Sequence, residues 1–134
     1  MESSDKTRRL EAAECKRSGR CNCAQAVLCT YADIAGIDTA TALNVGNAFA
    51  AGMGNMEGTC GALVGAGMVL GLVCRDKAQS MRGMKQMMQK FQERNGSTTC
   101  RVLKGVDTKK VLRQCPDCVS DACEFLEEVL ELQK

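Results

Sequence analysis

Apolar residues recur at spacings of three and four along most of this chain, and nowhere do they alternate over several positions. Side chains three and four apart share a helix face, whereas a half-buried strand would alternate, so the pattern predicts helices. The first helix is expected after Ser4, with Leu10, Ala13 and the stem of Arg17 on one side, ending at Gly19. Asn22 should cap a second that turns Val27, Tyr31 and Ile34 inward before Gly36, and Asp38 a third with Ala42, Val45, Phe49 and Gly52 in register. Thr59 should cap a fourth running to about Asp76, and a fifth follows from Ala78 to Arg94 with Met81, Met84, Met88 and Phe91 on one stripe. Ser97 should cap a short helix through Leu103, and Asp107 a short turn. Pro116, the single proline, suits the first turn of a last helix. That helix should bury Val119, Ala122, Leu126 and Val129 and leave Glu124, Glu127, Glu128 and Glu131 wet. The expected fold is all-α, a compact single domain over residues 1–134 built as a bundle of six or seven helices.

Composition narrows what such a bundle could do. One Tyr, three Phe and no Trp leave the core to Ala, Leu, Val and Met. A net charge of +2 is too mild to imply nucleic acid. The basic residues near the start (Lys6, Arg8, Arg9, Lys16, Arg17, Arg20) alternate with Asp5, Glu11 and Glu14, the pattern of a solvated helix face. The start of the chain lacks the apolar stretch of a secretory signal, and the run from Gly58 to Cys74 falls short of the roughly 18 residues of a membrane span. The expectation is a cytoplasmic protein without membrane insertion. In the fourth helix, Gly61/Gly65 and Gly67/Gly71 are spaced to let another backbone approach closely.

Ten cysteines and no histidine are the unusual part of this composition. A reducing compartment argues against a disulfide framework, which leaves metal binding, thiol redox chemistry or burial. Without histidine, any soft-metal site rests on thiolates. Four cysteines fall at the predicted starts of four helices: Cys23 after Asn22, Cys60 after Thr59, Cys100 after Ser97, and Cys115 before Pro116. Unpaired N–H groups and partial positive charge at helix starts favour thiolate over thiol. Should those ends converge, they would form a pocket for a negatively charged sulfur centre such as an iron–sulfur cluster. The loop GMGNMEGTCG would then let backbone approach the cluster, with Gly61 beside it. The spacing is not that of the ferredoxins, so convergence depends on the fold. CPDC (Cys115 and Cys118) has dithiol-oxidoreductase spacing, though without the strand–helix–strand context, and CNC (Cys21 and Cys23) could chelate metal. Cys15, Cys21, Cys29, Cys74, Cys118 and Cys123 are read as buried or incidental.

NCAQAVL at 22–28, GMGNMEGTCGALVGAGMVLG at 52–71, RNGSTTCRVLKG at 94–105 and CPDCVSDACEFLEE at 115–128 resemble the C_GCAxxG_C_C family of redox-active proteins. The likeness covers nearly everything after Gly19, and the family's cysteines fall on Cys23, Cys60, Cys100 and Cys115. Gly61, Ala62 and Gly65 match its C-G-A-x-x-G element. A similar domain accompanies haems and an iron–sulfur centre in split-Soret cytochromes, which implies a cluster and a homodimer here, although this chain has no haem-binding motif. Cys118 departs from the pattern, standing where an apolar residue is usual, and Cys21, Cys29, Cys74 and Cys123 lie outside it.

Three functions are therefore expected, in order. The first is an electron-transfer protein holding an iron–sulfur cluster through Cys23, Cys60, Cys100 and Cys115 and serving an oxidoreductase partner. The second is a thiol–disulfide oxidoreductase in which Cys115 or Cys60 attacks and a neighbouring cysteine, such as Cys118, resolves. The third is a thiolate site for zinc or copper without electron transfer.

Overall fold

The structure is a computed structural model that describes residues 2–131, with side chains from Arg8 onward. Its described residues form eight α-helices and no strand: α1 (Glu2–Arg17), α2 (Cys23–Thr30), α3 (Ala32–Ala35), α4 (Thr39–Gly46), α5 (Gly61–Cys74), α6 (Lys77–Asn95), α7 (Cys100–Lys104) and α8 (Cys115–Leu130). Six are long and two are single turns, so the all-α expectation holds.

Local chemistry sets most boundaries. Asn22 accepts the Gln25 N–H at 2.8 Å while the Gln25 side chain accepts the Asn22 N–H, a reciprocal cap that starts α2. Asp38 and Asp76 likewise accept the N–H groups of Thr41 and Gln79 at the starts of α4 and α6. Gly36, Gly96 and Gly105 end helices in the left-handed conformation.

Other boundaries moved. The expected second helix breaks at Tyr31 into α2 and α3. α4 stops at Gly46, so Phe49 and Gly52 lie beyond it, and a wide turn over Gly52–Met56 follows. Asp107 caps nothing; it holds Arg101 at 2.8 Å across an irregular turn.

α5 is apolar on every side because it runs through the middle, packed on α2, α3, α6 and α8. Leu63, Ala66, Val69 and Leu70 are fully buried there, against Val27 and Leu28 of α2, Met87 and Phe91 of α6, and Val119, Ala122 and Leu126 of α8. Each such Leu, Val or Phe stabilises the fold by about 1.5–3 kcal/mol. A Cβ on Gly65 would stand 2.7 Å from the Ala24 carbonyl oxygen, so this small residue is what lets α2 lie against α5. Gly67 faces Met84 and Gly71 open space, so the second pair carries no such contact. No described helix is long and apolar enough to cross a membrane.

Several faces differ from expectation. Ala13 is buried as expected, but Leu10 is 60% exposed because α1 turns Ala12 inward beside Ala13. Ile34, Val45 and Met81 are exposed, and the inner stripe of α6 is Gly83, Met87 and Phe91. Glu127, expected in water, is fully buried and receives a hydrogen bond from the Tyr31 hydroxyl. The basic residues near the start divide: Arg17 and Arg20 are exposed as expected, whereas Arg8 and Arg9 are engaged. Arg8 bonds the Thr30 carbonyl and Asp33, and Arg9 lies near Glu124. Asp5 and Lys6 fall outside the described side chains.

Candidate functional site

Cys23, Cys100 and Cys115 are the first residues of α2, α7 and α8, and Cys60 occupies the N-cap position of α5. Thr59 and Ser97 were the expected caps of α5 and α7. Their hydroxyls do not cap, because the two approach segments pair with each other. Thr59 and Thr99 form an antiparallel bridge, the Cys60 N–H donates to the Thr98 carbonyl at 2.8 Å, and the Cys100 N–H donates to that of Gly58 at 3.0 Å. Two stretches forty residues apart are thereby clamped side by side, each delivering a cysteine.

Glycines set how near the pieces come. A Cβ on Gly61 would lie 2.6 Å from the Phe49 carbonyl oxygen and 3.2 Å from Cys23 Cβ, and one on Gly52 2.6 Å from Cys100 Cβ. No side chain fits at either place, so the α5 start can approach Cys23 and the wide turn can approach Cys100.

Together these contacts bring Cys23, Cys60, Cys100 and Cys115 to line one cavity of about 90 Å³, with Gly61 in its wall. That is several times the ~10–15 Å³ one water requires. Cys118, read from the sequence as buried or incidental, lines it as well, and Lys16, Lys104 and Arg113 supply positive charge at its wall. A local signal existed for two of these: Cys118 follows Cys115 by three positions and Lys104 follows Cys100 by four, so each pair shares a helix face. Nothing local marks Lys16 or Arg113. Arg113 is aimed by Asp121, a nearly buried carboxylate that accepts from it at 2.9 and 3.1 Å and also binds Arg94 and Asn95.

The thiols stand in two hydrogen-bonded pairs. Cys23 donates to Cys115, whose pKa falls to about 5 because that bond, and then Lys104 and Lys16, outweigh burial. Cys60 has a lowered pKa chiefly through its contact with Cys118, with the N–H groups of Ala62 and Leu63 adding to the effect, and the Cys118 thiol also lies 3.9 Å from the Arg113 carbonyl. The donors Cys23 and Cys118 are pushed up correspondingly. Cys100 is raised by burial. Cys115 is therefore a thiolate near neutral pH beside a protonated Cys23, and Cys60 is shifted towards the thiolate beside Cys118.

The remaining cysteines lie elsewhere. Cys123 is fully buried beside Tyr31, Cys29 and Cys74 are partly covered free thiols, and Cys15 and Cys21 are joined in a disulfide. Cys21 is buried as expected, and the disulfide gives both cysteines a structural bond that the reading as buried or incidental lacks.

The donor set suits a thiolate-held group: soft sulfur ligands, two of them favoured as anions, under three cationic side chains. Among the described residues, no three Cys, Asp or Glu side chains are gathered around one point as a metal site. A family model described as "Putative redox-active protein (C_GCAxxG_C_C)" matches residues 21–129. Searches of curated proteins and of solved structures gave no match.

Proposed function

This chain belongs to the C_GCAxxG_C_C family of redox-active proteins, and from that premise we propose that it carries electrons on an iron–sulfur cluster held by Cys23, Cys60, Cys100 and Cys115. The supporting observation is that four cysteines distant in sequence line one cavity, each at a helix start, beneath Lys16, Lys104 and Arg113. When bound, the cluster would accept and release single electrons. The protein's own contribution is electrostatic. Partner thiols, the two lysines beside Cys115 and the helix-start N–H groups beside Cys60 favour thiolates in this site, and Gly61 and Gly52 keep side chains from filling the approach. Electrons would pass to an oxidoreductase partner, and the protein would transform no substrate itself.

Anaerobic purification followed by absorption, iron and acid-labile sulfide analysis tests this reading. A brown protein is expected. Cys60→Ser should lose most of the cofactor and Cys74→Ser almost none, because Cys74 lies outside the cavity lining. Equal cofactor content in the two variants would refute the ligand assignment.

The pairing of thiols favours a second reading. With Cys115 lowered to about 5 beside Cys23, and Cys60 lowered beside Cys118, Cys115 or Cys60 could attack a substrate disulfide and Cys23 or Cys118 resolve the mixed disulfide. A colourless, metal-free protein with a two-electron dithiol couple would replace the first reading by this one. Stoichiometric zinc without redox response would point to a storage or structural site.

A further inference from the structure

The disulfide between Cys15 and Cys21 plays no part in the functions just proposed. It spans the turn over residues 16–20, with its Cα atoms 5.5 Å apart. The Cys21 N–H also donates to the Cys15 carbonyl at 3.3 Å, and the Gly19 N–H to that of Lys16 at 3.1 Å.

The two ends of this bond face different surroundings. Cys21 is buried and stands two positions before Cys23, while Lys16, next to Cys15, lines the thiol cavity together with Cys23. Cys15 is partly exposed and lines a separate surface groove with Leu10, Glu11, Glu14, Arg20 and Cys29. One sulfur is thus reachable from outside, and the bond ties together the segments that carry Lys16 and Cys23, two components of the cavity.

We propose that the Cys15–Cys21 disulfide is a second, two-electron redox couple, opened from the groove by a dithiol reductant attacking Cys15, whose state sets how firmly the chain from Lys16 to Cys23 is held.

The chemistry is thiol–disulfide exchange. A thiolate of the reductant bonds to Cys15 Sγ, the Cys15–Cys21 bond breaks, and Cys21 departs as a thiolate that takes up a proton. The second thiol of the reductant then closes its own disulfide and releases Cys15, so two electrons and two protons pass from the dithiol to the pair. Attack falls on Cys15 because Cys21 is covered. Cys29 lines the same groove, but burial raises its pKa, and the protonated thiol is a poor nucleophile. The bond therefore persists until an external dithiol arrives.

The test uses the full chain as purified, with dithiothreitol as the reductant. After free thiols are alkylated in acid, tryptic digestion cuts at Lys16, Arg17 and Arg20, so Cys15 and Cys21 fall in different fragments. Tandem mass spectrometry should find those fragments joined, and brief dithiothreitol treatment should separate them with the circular dichroism unchanged. Amide hydrogen exchange over residues 16–24 should then become roughly tenfold faster, as expected for a locally released segment. Cys15→Ser should show the fast exchange without reductant, and Cys29→Ser should keep both the linkage and the slow exchange. Absence of the joined fragments, survival of the bond until the chain unfolds, or unchanged exchange after opening would each overturn the proposal. No readout involves a cofactor, so failure here is distinct from failure of the cluster reading.

Discussion

α2 and α8 run side by side from one polar site to another, about eight residues or 12 Å further along each helix, and the two sites are built in opposite ways. At the start, Cys23 and Cys115 meet at a partly open cavity walled by lysines. Further along, Tyr31, Cys123 and Glu127 meet where none is exposed, with the Arg8 guanidinium 5.3 Å above the Tyr31 ring. The first site stabilises charge: the partner thiols first, then lysines at Cys115 and backbone N–H groups at Cys60, pull two thiol pKa values down. The second suppresses it, since burial first, and then Cys123 and Glu127, push Tyr31 up, and burial lifts Cys123 to about 12. The same two helices thus carry a reactive end and a sealed one, and the difference lies in access to helix-end donors and solvent.

Removing the sealed contact should have the largest effect. Glu127→Ala leaves a cavity and a buried hydroxyl without its acceptor, at an expected cost of about 3 kcal/mol by denaturant titration. Cys115 should alkylate at its original rate in the folded variant. A wild-type midpoint for Glu127→Ala would show that the buried pair does not carry this stability.

Gly61→Ala is the corresponding change at the reactive end. Its Cβ would meet the Phe49 carbonyl at 2.6 Å, so about 1–3 kcal/mol should be lost. Unlike Glu127→Ala, it should also slow Cys115 alkylation near neutral pH, because Cys23 is displaced from the thiolate it stabilises.

Lys104→Met isolates one cation. In cofactor-free protein, the pH midpoint of Cys115 alkylation should rise from about 5 by about one unit, with little change in stability. An unmoved midpoint would leave the Cys23 hydrogen bond as the source of the low value.

The smallest effect is the pH dependence of the melting temperature of reduced, cofactor-free protein. Cys115 and Cys60 have lowered folded pKa values. Their stabilisation is full above the ordinary thiol value of 9.0 and is lost as pH falls, through about 5 for Cys115. Cys23, Cys118 and Cys123 are raised, so their stabilisation is present below 9.0 and lost as pH rises beyond it. The melting temperature should climb from pH 5 towards 9 and then decline. Cys115→Ser should flatten the acid side alone.

By itself the sequence determined the helical class, the starts of α2, α4 and α6, and the position of four cysteines at helix starts. Caps are hydrogen bonds made within three residues, as Asn22 with Gln25 and Asp38 with Thr41 show, so a local reading can find them. Only the tertiary structure decided which faces turn inward and which distant groups meet. Leu10 and Glu127 illustrate the first: periodicity identifies a helix face, but neighbouring helices choose the one that is covered, and the Glu127 partner lies 96 residues away. Cys118, Lys16 and Arg113 illustrate the second. Their arrival at the cavity, like the Cys15–Cys21 bond, follows from how α1, α5, α7 and α8 pack, and that packing depends on contacts between segments that no short stretch of sequence contains.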